Sequence, residues 1–242
     1  MLSAAGVLGG LGPMATVYFM ERVIDRTDSP DDQGHVPMLV WNDPSVPDRT
    51  AYLTGSSEAD PLPAMIAGAQ ALERAGVSFI AMPCNTAHYF YDALDSSVGI
   101  PFLHIVTETL DEAARRVPGL HTVGILATDG TVRTGTYQQA AEAAGLTCLV
   151  PDDEVQAEVM AMIYAGVKAG VPVERSRLAA AVEHLRERGA QAVLLACTEL
   201  SILQRDVALW DADVVDSVDA LARATVLASG RRLRDLSGEG ER

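Results

Sequence analysis

The chain has 242 residues, of which 48% are hydrophobic and 21% charged, and its formal net charge is −15. This composition is typical of a folded globular protein, and the length allows one large core or two smaller ones. The negative charge excludes nucleic acid as an expected partner, because an acidic surface repels polyphosphate. Of the 18 basic residues, Lys168 is the single lysine.

The cysteine count indicates a reducing environment. The chain has three cysteines, Cys84, Cys148 and Cys197, an odd number that lacks the paired spacing of a zinc site. We therefore expect reduced thiols, no metal and a cytoplasmic location. Cys148 lies in an apolar run and is interpreted as structural. The apolar N-terminal stretch has no basic flank, so we expect no signal peptide. No window reaches the roughly 18 uninterrupted apolar residues of a membrane span, which predicts no membrane partner.

Short apolar runs alternate with longer helical patterns along the chain. Strands are predicted at residues 6–9, 38–41, 79–82, 123–126, 148–150 and 193–196, and helices at stretches such as 15–26, 63–75, 137–144 and 177–188. This alternation predicts an α/β fold with parallel sheets. In such folds the ligand site lies at the carboxyl ends of the strands.

Three segments of the first half recur in the same order in the second half. Residues 6–12 resemble 124–130, residues 37–43 resemble 147–153, and the strand before Cys84 resembles the strand before Cys197. Both cysteines stand eight residues after a glycine. We therefore predict two pseudo-symmetric Rossmann-like domains, residues 1–100 plus 212–242 and residues 101–211, with the active site in the cleft between them.

Cys84 and Cys197 are predicted to lie on opposite sides of this cleft. Polar residues follow each at once: Asn85 and Thr86 after the first, Thr198 and Glu199 after the second. Such residues suit a helix N-terminus, where the pKa of a thiol falls toward the physiological range. A thiolate and a thiol on opposite faces of a carbon can remove a proton from one side and return it from the other, which inverts a stereocentre. The alternative is that both cysteines are small buried hydrophobes.

No cofactor is predicted. The glycine-rich segment GGLGP at residues 9–13 has a proline at the turn, which fits a carboxylate-binding loop better than a dinucleotide site. Pyridoxal phosphate requires a Schiff-base lysine, and Lys168 is the single candidate in the chain. We therefore do not expect pyridoxal phosphate either.

Three segments resemble the aspartate/glutamate racemases, specifically the aspartate racemase branch: GGLGPMAT at residues 9–16, PCNTAH at 83–88 and ACTEL at 196–200. The resemblance covers nearly the whole chain and includes DPSVPDRT at residues 43–50. It implies a PLP-independent, two-base amino-acid racemase with two pseudo-symmetric α/β domains. The implied substrate is a small acidic amino acid, aspartate or glutamate, and the implied assembly is a homodimer.

The resemblance also implies individual roles. Cys84 and Cys197 would be the two bases, and Arg49 and Lys168 would anchor the side-chain carboxylate. The α-carboxylate would be held by backbone N–H groups and hydroxyls of Asn85, Thr86, Thr198 and, with less support from the motif, Thr131. Glu199 would either tune the neighbouring thiol or simply favour the first turn of a helix. His88 and His104 are interpreted as structural.

Several alternatives stay open at this point. Arg49 could form a surface ion pair with Asp43 or Asp48, and Lys168 could be a solvated residue at a helix end before Gly170. Maleate isomerases and hydantoin racemases of the same superfamily also carry paired cysteines, and in them one thiol can act as a nucleophile. A dicarboxylate-binding protein without catalysis is the third hypothesis.

Overall fold

The computed structural model describes residues 3–207 and 211–235 of the chain. Its strands are β1 (Ala5–Gly9), β2 (Met38–Asn42), β3 (Phe79–Ala81), β4 (Thr122–Ala127), β5 (Thr147–Leu149), β6 (Ala192–Ala196) and β7 (Val214–Asp216). Its α-helices are α1 (Pro13–Arg26), α2 (Arg49–Thr54), α3 (Leu62–Arg74), α4 (Tyr91–Asp95), α5 (Ile105–Arg116), α6 (Asp129–Thr134), α7 (Thr136–Ala143), α8 (Asp153–Ala161), α9 (Arg175–Glu187), α10 (Thr198–Val207) and α11 (Ser217–Ala228). Asp32–Gly34, Thr86–Phe90 and Val167–Ala169 are 3-10 helices, and Met162–Gly166 is π-helical.

The strands form two parallel sheets, in the orders β2-β1-β3 and β5-β4-β6-β7. Strands β1, β3, β6 and β7 are buried along their whole length, as parallel strands covered by helices on both faces should be. The outer strands β2 and β5 are more exposed. The predicted α/β fold with parallel sheets is confirmed.

The two sheets repeat one topology. The order β2-β1-β3 in the first half corresponds to β5-β4-β6 in the second, which agrees with the duplicated segments in the sequence. A fourth position is also shared: Val193 of β6 pairs with Val214 of β7, and Ile80 of β3 forms a parallel bridge to Phe102. The strand β7 (Val214–Asp216) was missed in the sequence.

The C-terminal part of the chain contacts both halves. Strand β7 pairs with β6 in the second sheet, whereas α11 packs against α1 and α5. The sequence prediction assigned residues 212–242 to the first domain. The structure instead pairs β7, near the start of this segment, with the second sheet. The exact domain boundaries stay a prediction. No helix in the described ranges combines the length and apolarity that a membrane crossing requires.

The turn between β1 and α1 lies beside the carboxyl ends of the strands. Gly10 has a φ of +87°, and a Cβ there would lie 2.3 Å from the backbone of Asp43, so glycine is required on both grounds. Pro13 then begins α1 at a position where its missing N–H costs nothing. This close approach holds Leu11 over the carboxyl ends of the first sheet.

Candidate active site

A cavity lies where strands β1, β3, β4 and β6 end. It is lined by Leu11, Asp48, Arg49, Thr50, Cys84, Asn85, Thr86, Thr128, Tyr164, Lys168, Cys197, Thr198 and Glu199. Its volume is about 20 Å³, which accommodates about one water molecule.

Both predicted cysteines line this cavity, and both are buried, with exposed fractions of 6% and 4% for Cys84 and Cys197. Cys197 follows the last residue of β6 directly, and Cys84 lies three residues beyond β3. Cys148 lies elsewhere, on β5, where burial raises the pKa of its thiol to about 12. The sequence therefore separated the two cavity thiols from the third cysteine.

Cys197 belongs to a chain of polar contacts through Glu199. Its thiol donates to Oε2 of Glu199 at 3.1 Å, and Oε1 of the same carboxylate accepts from the Lys168 amine at 2.9 Å. Burial and then the negative charge of Glu199 raise the pKa of Cys197 well above its ordinary value. Burial alone would lower the pKa of Lys168, but the Glu199 charge and hydrogen bond raise it. Cys197 is therefore held as a protonated thiol and Lys168 as a cation.

Cys84 has a different environment. Its thiol approaches the carbonyl oxygen of Leu11 at 3.7 Å, and its own carbonyl oxygen is 2.8 Å from Nδ1 of His88. The other ring nitrogen of His88 accepts from the Ile105 N–H at 3.1 Å, so Nδ1 is the protonated, donating nitrogen. Burial lowers the pKa of His88 to about 3 and keeps it neutral. These contacts agree with the structural role predicted for His88.

Arg49 is buried beside the cavity, and its guanidinium bonds to backbone carbonyls. Nη1 donates to Val46 and Pro47 at 3.1 and 2.8 Å, and Nη2 donates to Leu11. The Nε–H is buried with no hydrogen-bond partner within residues 3–207 and 211–235. The alternative of a surface ion pair with Asp43 or Asp48 is not what the structure shows. The arrangement leaves a buried positive charge at the cavity wall with an Nε–H that is free to donate.

Lys168 reaches the cavity from an irregular helical segment. Residues 153–169 run from α8 through a π-helical turn into a 3-10 turn, and Gly170 ends them with a φ of +68°. Helical turns of the π type recur at functional sites. Lys168 is thus at a helix end, as one alternative expected, yet its amine is paired with Glu199 inside the cleft.

Tyr164 and Asp48 line the cavity but were not predicted. The Tyr164 hydroxyl donates to the Asp48 carboxylate at 3.3 Å, and the Lys168 amine lies 5.4 Å from the centre of the Tyr164 ring. The four-residue spacing between Tyr164 and Lys168, one helical turn, was the available signal. Asp48 also accepts from the Ala51 N–H at 2.8 Å and caps α2, so it has both a structural contact and a place in the cavity wall.

The Asn85 side chain is fixed by two partners from the second half of the chain. The Tyr137 hydroxyl donates to Oδ1 at 2.6 Å, and Nδ2 donates to the Ser217 hydroxyl at 2.9 Å. Ser217 in turn donates its single hydroxyl proton to the carbonyl oxygen of Leu195. The Ser217 hydroxyl must therefore accept from Nδ2 of Asn85, which leaves Oδ1 of Asn85 to accept from Tyr137. One amide proton of Asn85 is left over for a ligand.

Three threonine hydroxyls form a cluster next to Asn85. Thr86, Thr128 and Thr131 lie within 2.9 to 3.2 Å of one another. Thr86 and Thr128 line the cavity, whereas Thr131 is not among the lining residues in the described part of the chain and lies behind them. Thr198 lines the cavity and donates to Glu199 at 3.2 Å. Of the predicted hydroxyl donors, Thr131 is therefore the one in a supporting position.

Two thiols, two cations and a set of hydroxyl and amide donors lie at the ends of parallel strands, where the ligand sites of α/β proteins lie, so this cavity is the candidate active site. The family model described as Asp/Glu/hydantoin racemase matches residues 8–225, and the chain belongs to this family. It is an amino-acid racemase, a class of isomerase.

Similar proteins agree with this assignment. The broad specificity amino-acid racemase RacX of Bacillus subtilis strain 168 is 31% identical over 229 residues, which cover 91% of this chain and 96% of the relative. A glutamate racemase of Deinococcus radiodurans is 30% identical over 244 residues, covering 96% of this chain and 77% of the relative. The structure of an aspartate racemase from Picrophilus torridus is 30% identical, covers 96% of both chains and superposes with a TM-score of 0.79.

Proposed function

We propose that this racemase interconverts the enantiomers of an acidic amino acid, aspartate or glutamate, without a cofactor and with Cys84 and Cys197 as the two bases. The observation that carries the proposal is that both thiols line one cavity, each at the end of the corresponding strand in the two sheets. Such placement suits groups that act on opposite faces of one carbon atom.

The two thiols have different resting roles in this proposal. Cys197 is the acid, because its proton is held by Glu199. Cys84 is then the thiolate that removes the α-proton, while Cys197 delivers its own proton to the opposite face. The roles reverse for the other enantiomer. Each group supplies general acid–base catalysis, which contributes about 10²–10⁴-fold.

Removal of an α-proton creates negative charge that extends into the α-carboxylate. We propose that this carboxylate is held by the remaining amide proton of Asn85, by the hydroxyl of Thr86 and by the hydroxyl of Thr198 once it turns from Glu199; all three residues line the cavity. Donors of this kind stabilise developing charge best when they are fixed beforehand. Tyr137 and Ser217 supply that rigidity to Asn85.

The side-chain carboxylate of the substrate is assigned to Arg49 and Lys168. Arg49 offers a buried charge with an unused Nε–H, and Lys168 offers an amine at the cavity wall. The names of two similar proteins, an aspartate racemase and a glutamate racemase, support an acidic substrate. Homodimer assembly and a cytoplasmic location stay predictions.

The test is exchange of the α-hydrogen and loss of optical activity for each aspartate enantiomer in D₂O. We expect Cys84→Ala and Cys197→Ala each to slow racemisation by at least about 10²-fold, since each removes one acid–base group. Cys148→Ala is the matched control and should racemise at the wild-type rate. Racemisation at the wild-type rate by either cavity variant would refute the two-base proposal. A covalent adduct with maleate, detected by mass spectrometry, would instead support a nucleophilic thiol.

A further inference from the structure

The charges around the cavity cancel. Among the described lining residues other than the cysteines, Arg49 and Lys168 are cationic and Asp48 and Glu199 are anionic, so the formal sum of these four charges is zero. A chain with net charge −15 does not, in this conformation, offer a cavity with an excess of positive charge. A substrate carboxylate therefore enters a site that already contains counter-ions for its cations.

Lys168 is the cation whose charge is already paired. Its amine lies 2.9 Å from Glu199, and both side chains are largely buried, with exposed fractions of 26% and 8%. Arg49, by contrast, bonds to carbonyl oxygens and has an unused Nε–H. An acidic side chain that binds Lys168 must therefore share the amine with Glu199 or displace it.

We propose that Glu199 is a specificity-determining residue. By pairing with Lys168 it cancels the charge of that amine, so that the enzyme accepts a neutral amino acid of the same shape as readily as an acidic one. This inference rests on the proposed function, and it adds a substrate class: amino acids of the size of aspartate with an uncharged polar side chain, of which asparagine is the isosteric example.

Glu199 also accepts a hydrogen bond from the Cys197 thiol, so replacing Glu199 changes the properties of the thiol as well as the charge beside Lys168. The two effects separate when two substrates are compared. A change in the thiol alters turnover of aspartate and asparagine alike, whereas a change in the charge at Lys168 acts on aspartate alone. The ratio of kcat/KM for aspartate to kcat/KM for asparagine therefore reports the charge selection.

The experiment measures that ratio by α-hydrogen exchange in D₂O for the wild type, Glu199→Gln and Lys168→Met. We expect a wild-type ratio within about tenfold of one. Glu199→Gln should raise the ratio at least tenfold, because Lys168 is then unpaired in a low-dielectric site. Lys168→Met should lower it at least tenfold, because Glu199 is left to repel the acidic side chain.

The matched control is Glu158→Gln, which removes an exposed carboxylate that pairs with Arg177 on the surface. It should leave the ratio at the wild-type value. A ratio above one hundred in the wild type, or one that Glu199→Gln does not raise, would overturn the inference.

The ratio of the dissociation constants of aspartate and asparagine, measured by calorimetry, reports the same charge selection without turnover. If the wild type exchanges neither α-hydrogen, the proposed racemase reaction fails, while the binding ratio in wild type and Glu199→Gln still decides the role of Glu199. Folding of each variant is checked by its thermal unfolding transition, and Lys168→Met tests the inference independently of Glu199→Gln.

Discussion

The two halves of the molecule share a topology but differ around their cysteines. Strand orders β2-β1-β3 and β5-β4-β6 correspond, and each half places one thiol beyond its third strand. Cys197 directly precedes the ten-residue helix α10, and its thiol donates to a carboxylate. Cys84 precedes a five-residue 3-10 helix and approaches a backbone carbonyl.

This difference shows how a duplicated scaffold supports an unsymmetrical reaction. A two-base mechanism needs one thiolate and one thiol at the start of each turnover, which two identical environments would not distinguish. The strands supply the symmetric placement of the two groups. In the proposed mechanism, the different contacts beyond the strands, Glu199 with the Cys197 thiol and His88 with the Cys84 carbonyl, supply the asymmetry.

The largest expected effect is on hydrogen exchange in single-thiol variants. In Cys197→Ala, Cys84 can still remove the α-proton on its own face and return deuterium to that face. In Cys84→Ala, the remaining Cys197 must first lose a proton that Glu199 and burial hold in place. We expect exchange without inversion in Cys197→Ala to be at least about 10²-fold faster at pH 7 than any exchange in Cys84→Ala.

Proton NMR in D₂O with each aspartate enantiomer measures both rates. The gap should narrow as the pH rises, because more of Cys197 is then deprotonated in Cys84→Ala. Equal rates at pH 7, or faster exchange in Cys84→Ala, would contradict the assignment of Cys197 as the resting acid.

The second expected effect concerns the His88 half of the molecule. His88 stays neutral in the folded state because burial lowers its pKa to about 3, whereas in the unfolded chain its pKa is about 6.5. Between these pH values only the unfolded state binds the proton, so stability decreases as the pH falls below about 6.5. The slope is at most about 1.4 kcal/mol per pH unit, or about 2 kcal/mol between pH 6.5 and 5.

Urea unfolding of the wild type and His88→Asn at pH 7, 6 and 5 checks this slope. Asparagine keeps an N–H donor but does not titrate, so the variant should lose most of the slope even though it is less stable at pH 7. His104, whose pKa is also lowered by burial, accounts for the remainder. His121→Asn, at an exposed position, is the control and should keep the wild-type slope. An unchanged slope in His88→Asn would refute the role of its neutral ring.

The sequence was sufficient for the parts of the molecule that depend on local pattern. Alternating apolar runs located the sheets, and the repeated spacing around Cys84 and Cys197 located both cavity thiols. The contacts of Arg49 with three carbonyl oxygens could not be predicted, because they depend on how distant loops meet. The spacing of Tyr164 from Lys168 was available in the sequence, but the contact of the Tyr164 hydroxyl with Asp48 was not, because it too depends on how distant segments meet.

The smallest expected effect separates the two causes of the high Cys197 pKa. Burial is the larger cause and the charge of Glu199 the second, so Glu199→Gln should lower the pKa of Cys197 without restoring its ordinary value. We expect alkylation of Cys197 by iodoacetamide at pH 7, followed by peptide mass spectrometry, to become about tenfold faster in this variant. Cys84 in the same sample is the internal control and should react at its wild-type rate.

An unchanged Cys197 rate would mean that burial alone distinguishes the two halves. A parallel increase at both cysteines would instead mean that the variant opens the cavity. Only a selective increase assigns the asymmetry to Glu199, a residue beyond the strand, and not to the sheets that the two halves share.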